Sequence, residues 1–141
     1  MSIIYTAKAT STGGRDGHVA TDDGAIACDL SLPGSNKKGP NPEQFFAAGY
    51  SACFGQALEA VAEQKGMKPD SIEVQASVSL HKQNNAFHLS VKLDGHLPGL
   101  SRKDAEFLMK EAHKICPYSK AVSAGIVIEL SISGTDVKAA A

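Results

Sequence analysis

Apolar and polar residues alternate strictly along two neighbouring stretches of the chain. The first carries Ile72, Val74, Ala76, Val78 and Leu80, the second Phe87, Leu89, Val91 and Leu93, and the turn segment "NNA" lies between the two. A period of two is the mark of a half-buried strand, so the pair predicts a β-hairpin. Ile126, Ile128, Leu130 and Ile132 repeat the pattern near the C-terminus and predict a last strand, followed by a short polar and Ala-rich end. At the other end of the chain, "IIYTAKATS" and "GAIACDLSL" read as strands, and "TGGRDG" and "DDG" supply the glycines of tight turns. The first quarter is therefore predicted to be a small antiparallel meander. "LPGSNKKGPNP" concentrates Gly, Pro, Asn and Ser and is the longest loop.

Two helical patterns lie between the strands. In the first, Asn41 is placed to cap, Pro42 suits the first helical position and Glu43 suits the positive end of the helix dipole. Gly66 can close it in the left-handed conformation. Phe45, Phe46, Ala48, Tyr50, Ala52, Cys53, Ala57, Leu58 and Val61 cover most of its circumference. More than one side must then be buried. The second helix starts at "SRKD", where Ser101 and Asp104 approximate a capping box, and runs through Phe107, Leu108, Ala112 and Ile115. Pro117 disfavours the helical conformation at Cys116 and stops it there. The order βββ-α-ββ-α-β predicts an α+β domain, an antiparallel sheet covered on one face by two helices.

Composition narrows the classes. The 141 residues suit a single domain over 1–141, and 43% apolar with 21% charged residues is ordinary for a globular protein. A net charge of −1 offers nucleic acid no electrostatic footprint. No apolar run approaches the ~18 residues of a membrane span and no secretory leader is evident, which makes the cytoplasm the expected location. The three cysteines, Cys28, Cys53 and Cys116, form no CxxC and no secreted disulfide framework. In a reducing compartment a pair that bridges is catalytic or regulatory more often than structural.

Taken alone, Cys53 reads first as a packing residue in an Ala-rich helix, since free cysteine is among the most buried residue types. Cys116 lies at a helix end beside a proline, where a thiol can be exposed and can move, and the C-terminal dipole makes it the less acidic of the two. For Cys53 to react, a cation must favour its thiolate, because mid-helix it lies beyond the dipole's first turn. Arg15 in "GGRDG" is the leading candidate, with Glu43 to accept its fork; a solvent-exposed turn arginine and a first-turn acid are the plain alternatives. Ten residues of continuous helix separate Glu43 from Cys53, about 15 Å at ~1.5 Å per residue. Either the helix breaks or a second subunit contributes, and the excess apolar surface also asks for a partner. The expectation is that Arg15 and Glu43 of one chain meet Cys53 of the other in a homodimer. His113 and Cys116 stand three apart, but without CxxC or HExxH no metal site is expected. Cys28 reads as a half-buried strand residue.

"YTAKATSTGGRDG", "DDGAIACDLSLPG", "GPNPEQFFAAGYSACFGQAL" and "CPYSKA" together, in order and over nearly the whole chain, resemble the organic hydroperoxide resistance proteins of the OsmC/Ohr superfamily. The resemblance implies an OsmC-like α+β fold with a long apolar central helix and an intertwined homodimer with active sites at the subunit interface. It implies a thiol peroxidase that needs no metal, haem or other cofactor and reduces lipid or alkyl hydroperoxides to alcohols. Carried over position by position, Cys53 is the peroxidatic cysteine and Cys116 the resolving cysteine, and Arg15 and Glu43 activate Cys53. The implied reductant is a lipoyl dithiol on a protein partner. Phe45, Phe46, Tyr50 and Phe54 are candidates to admit the substrate's apolar tail, though each also fits core or interface. A redox switch without turnover and a dimeric domain with two inert thiols are the rival readings.

Overall fold

The computed structural model describes residues 1–138. The chain forms two compact units, one of residues up to Phe45 and one from Phe46 onward.

The first unit holds a three-stranded antiparallel sheet of β1 (Ala9–Thr12), β2 (His18–Thr21) and β3 (Ala27–Asp29), with β2 in the middle. Thr10 pairs with Ala20, and Val19 with Cys28. The predicted first strand is shorter than its pattern: β1 begins at Ala9 opposite Thr21, and one bond beyond that pairing runs from the Asp22 N–H to the Lys8 carbonyl at 3.1 Å. Ile3, Ile4 and Tyr5 are left 85%, 98% and 78% exposed. Between β1 and β2 the chain makes one 3-10 turn, Gly14–Asp16. Gly13 and Gly14 take φ of 81° and 64°, the left-handed region that glycine enters without steric cost. A side chain at Gly17 would overlap the Thr12 carbonyl. These glycines are what allow the turn to close around Arg15.

Helix α1 runs unbroken over Pro42–Gln64. Its start is a reciprocal capping box: the Gln44 N–H donates to Asn41 Oδ1 at 2.9 Å, and the Asn41 N–H donates to Gln44 Oε1 at 2.9 Å. Its end is a Schellman motif on Gly66, whose φ is 67°. Met67 N–H reaches back to the Ala62 carbonyl at 2.8 Å and Gly66 N–H to that of Glu63 at 3.2 Å.

In the second unit β4 (Glu73–Gln83) and β5 (Ala86–His96) form the predicted hairpin, turned by Asn84 and Asn85 at φ of 50° and 63°. Val78 faces Val91. Helix α2 (Arg102–Ile115) begins at Ser101, whose Oγ accepts from the Asp104 N–H, and ends at Cys116. A short helix α3 (Pro117–Val122) follows at once, then β6 (Val127–Ile132) and β7 (Thr135–Asp136). The sheet order is β4-β5-β6-β7. The expected all-antiparallel sheet is corrected at one pairing: β6 lies parallel to β5, Val91 opposite Ile128. The crossover through α2 and α3 is long enough to return the chain to the same end of the sheet, which a tight turn cannot do. Helix α3 is the other addition, because Pro117 ends α2 and also opens a new helix from its first position.

One apolar core fills this unit. Tyr50, Phe54 and Leu58 from α1, Val91 and Leu93 from β5, and Leu108, Met109 and Ala112 from α2 are all buried in it. Fully burying one such side chain is worth about 1.5–3 kcal/mol. The core thus fixes α1, which carries Cys53, against α2, which leads into Cys116.

Candidate active site

The two cysteines of the second unit meet. Cys116 Sγ lies 3.6 Å from Cys53 Sγ, both as free thiols. Cys53 is partly buried; Cys116 is 0% exposed. The expected exposure of Cys116 is therefore corrected. Leaving α2 with φ −59° and ψ 123°, it turns its side chain into the core instead of toward solvent.

Burial pushes the Cys53 thiol up from its ordinary value, and the neighbouring Cys116 thiol pushes it the same way. The Tyr118 backbone N–H opposes both by donating to the Cys53 sulfur. That N–H belongs to the first turn of α3, where helical donors have no carbonyl of their own to bond. Within the single chain, then, the surroundings of Cys53 penalise its charged form.

In the first unit, Arg15 and Glu43 form a forked ion pair. Arg15 Nη1 donates to Glu43 Oε2 at 2.9 Å and Nη2 to Oε1 at 2.6 Å. The bond to Arg15 holds the Glu43 carboxyl below the usual carboxylate range, and the same bond pushes the guanidinium further up. Glu43 is nearly covered while Arg15 stays 47% exposed, so the cation is oriented yet open to a further partner. Beside it lies an apolar cavity of about 470 Å³, lined among others by Val19, Ile26, Leu30, Pro42, Phe45 and the Arg15 stem. Phe45 opens onto that cavity. Phe46 packs against the second unit's core, and Tyr50 and Phe54 are fully buried in it.

A buried polar chain went unread in the sequence. Tyr50 Oη and Ser119 Oγ share a hydrogen bond at 2.7 Å, and His113 Nδ1 bonds the same Oγ at 2.9 Å. Burial raises Tyr50 and lowers His113 from their ordinary pKa values. "CPYS" carries part of the sign: a proline at a helix's first position places the residue two further on in the first turn, while the direction that Ser119 faces is set by the packing of α3.

Residues 34–131 match the family model described as OsmC-like protein. The chain belongs to the OsmC family. It is 42% identical over 133 residues to the organic hydroperoxide resistance protein OhrB of Bacillus subtilis (strain 168), covering 92% of this chain and 98% of that one. With an organic hydroperoxide resistance protein of Xanthomonas axonopodis pv. citri (strain 306) it shares 39% over 136 residues, 93% and 96% of the two chains. The crystal structure of Bacillus subtilis OhrB superposes with a TM-score of 0.88 at 40% identity, covering 93% of this chain and 100% of that chain. An OsmC-family organic hydroperoxide resistance protein from Legionella pneumophila superposes equally, at 0.88 and 40%. The α+β architecture is thus that of the OsmC family. Among the described residues no helix is long and apolar enough to cross a membrane.

Proposed function

We infer that this OsmC-family protein is a dithiol peroxidase that reduces organic hydroperoxides to alcohols. The observation that carries the reading is the contact of two free thiols, one fully buried and one partly so, at 3.6 Å. The names of its relatives, organic hydroperoxide resistance proteins, supply the substrate class.

In the first step the Cys53 thiolate attacks the distal peroxide oxygen. The O–O bond breaks, the alkoxide takes up a proton and leaves as alcohol, and Cys53 is left as a sulfenic acid. In the second, Cys116 sulfur attacks Cys53 sulfur, the S–O bond breaks, and the Cys116 proton departs with the hydroxide as water. An external dithiol then reduces the disulfide and is itself oxidised. A lipoyl dithiol on a protein partner is the proposed reductant. No metal or cofactor enters the sequence of steps, which a reducing compartment, the cytoplasm, can sustain.

Cys53 needs a cation, because burial works against its thiolate. Arg15, aimed by Glu43 and still half exposed, is the proposed source, acting on the thiolate and on charge developing at the peroxide oxygens. Since α1 does not break, the proposal is that this pair reaches Cys53 from the second subunit of a homodimer. Exposed Ile3, Ile4, Tyr5, Phe87 and Val127 support a partner surface. The apolar cavity beside Arg15, with Phe45 at its wall, suits an alkyl tail better than hydrogen peroxide. Purified protein supplied with an organic hydroperoxide and either dihydrolipoamide, thioredoxin or glutathione tests the reading. Turnover with dihydrolipoamide is expected, and consumption of hydrogen peroxide in preference to the organic substrate would count against it.

A further inference from the structure

The Tyr50–Ser119–His113 chain stands in a regular relation to the two sulfurs. Tyr50 precedes Cys53 by three residues on α1, His113 precedes Cys116 by three at the end of α2, and Ser119 follows Cys116 by three in α3. Residues three apart share a helix face. The three helical segments that carry or flank the cysteines are therefore stitched together by one hydroxyl, Ser119 Oγ, bonded at 2.7 Å to Tyr50 and 2.9 Å to His113. Tyr50 is 0% exposed and Ser119 1%, so the bond between them has no water to replace it.

Resting on the dithiol reading above, we propose that Ser119, held between Tyr50 and His113, is the positioning residue that keeps Cys116 in register with Cys53 while the disulfide closes. Closure needs the sulfurs to travel from 3.6 Å to a bond of ~2 Å. A short, directed movement of this kind is lost when the turn bearing one sulfur can swing freely.

The polarity of the chain makes the hub sensitive to protonation. With His113 neutral and its proton on Nε2, Tyr50 can donate to Ser119 and Ser119 to Nδ1, so each proton has an acceptor. Protonated Nδ1 becomes a donor, Ser119 must turn its proton back to Tyr50, and the buried tyrosine proton loses its partner. The charged groups around the imidazole line a shared cavity: Lys110, Glu111 and Lys114 on α2, Glu129 on β6, Asp136 on β7, and Lys138. Glu111 is paired with Lys114 at 2.6 Å and Asp136 with Lys92 at 3.2 Å, so Glu129 is the cavity carboxylate outside these two ion pairs, set among the cations Lys110, Lys114 and Lys138.

Rapid quench after one equivalent of organic hydroperoxide separates the two chemical steps, with dimedone capturing the sulfenic acid and intact mass reporting the disulfide. Ser119→Ala should slow closure relative to sulfenic acid formation by tenfold or more. His113→Leu should do the same. His113→Asn, which keeps an acceptor near Nδ1 but cannot titrate, should close at the wild-type rate at neutral pH and lack the acid decline of closure expected of wild type. Closure at the wild-type rate in Ser119→Ala, or equal slowing of both steps, would overturn the proposal. Should Ser119→Ala fail to fold, the two His113 variants decide: indistinguishable pH profiles for Leu, Asn and wild type overturn it. If wild type itself forms sulfenic acid but no disulfide, the peroxidase reading fails first.

Discussion

Arg15 grips Glu43 with two parallel hydrogen bonds, at 2.9 and 2.6 Å, from a turn that glycines alone make possible. A fork of this kind fixes the direction of a cation, which a lone lysine cannot do.

Arg15→Ala is accordingly expected to slow sulfenic acid formation on the order of 10²-fold, with the fold retained by circular dichroism. Arg15→Lys should recover little of that loss. Subunit exchange gives a sharper result. If the proposed homodimer forms, mixing Arg15→Ala chains with Cys53→Ser chains should give hybrids in which an intact Arg15 faces an intact Cys53, and activity should return on mixing. Two variants that stay dead when mixed would place Arg15 and Cys53 in the same subunit's site or in none.

The lowered pKa of His113 carries a stability consequence. Burial favours its neutral form, so between its folded value and the ordinary 6.5 the unfolded chain binds more protons than the folded one. Stability from this group is fully present above 6.5 and is lost as pH falls through the folded pKa. Partial exposure keeps the effect small. Urea midpoints measured at about pH 5.5 and 7.5 should fall more on acidification in wild type than in His113→Asn; equal falls would show that the imidazole is not held neutral.

Gly95 offers a test of the core that leaves the chemistry alone. A Cβ there would meet Met109 Sδ at 2.5 Å and its Cε at 3.2 Å, and Met109 is 0% exposed. Overpacking at such a site costs about 1–3 kcal/mol. Gly95→Ala should therefore lower the denaturation midpoint without altering turnover per folded molecule, and an unchanged midpoint would mean that Met109 has room the packing does not suggest.

Much of this was legible in the chain because it is locally encoded. The two helix starts, the Gly66 stop, the Asn84–Asn85 hairpin and the end of α2 at Cys116 all follow from turn and capping chemistry within a few residues. The parallel pairing of β5 with β6 was not, because alternation along a strand carries no information about its partner's direction. The site divided similarly. Arg15 with Glu43 was expected from residue type and loop character, and the structure has the pair in contact. The burial of Cys116 and the Ser119 hub depend on how α2 and α3 fold onto α1, and side chains 69 residues apart, such as Tyr50 and Ser119, give no sign of meeting in a single sequence.

The measurement that bears most directly on peroxidase function is turnover of an organic hydroperoxide with excess dithiol, combined with disulfide mapping, in wild type, Cys53→Ser and Cys116→Ser. Wild type should cycle and, without reductant, trap a Cys53–Cys116 disulfide; Cys116→Ser should halt at a sulfenic acid on Cys53, and Cys53→Ser should neither turn over nor oxidise. Undiminished turnover in Cys53→Ser would contradict the assignment of Cys53 as the reacting thiol.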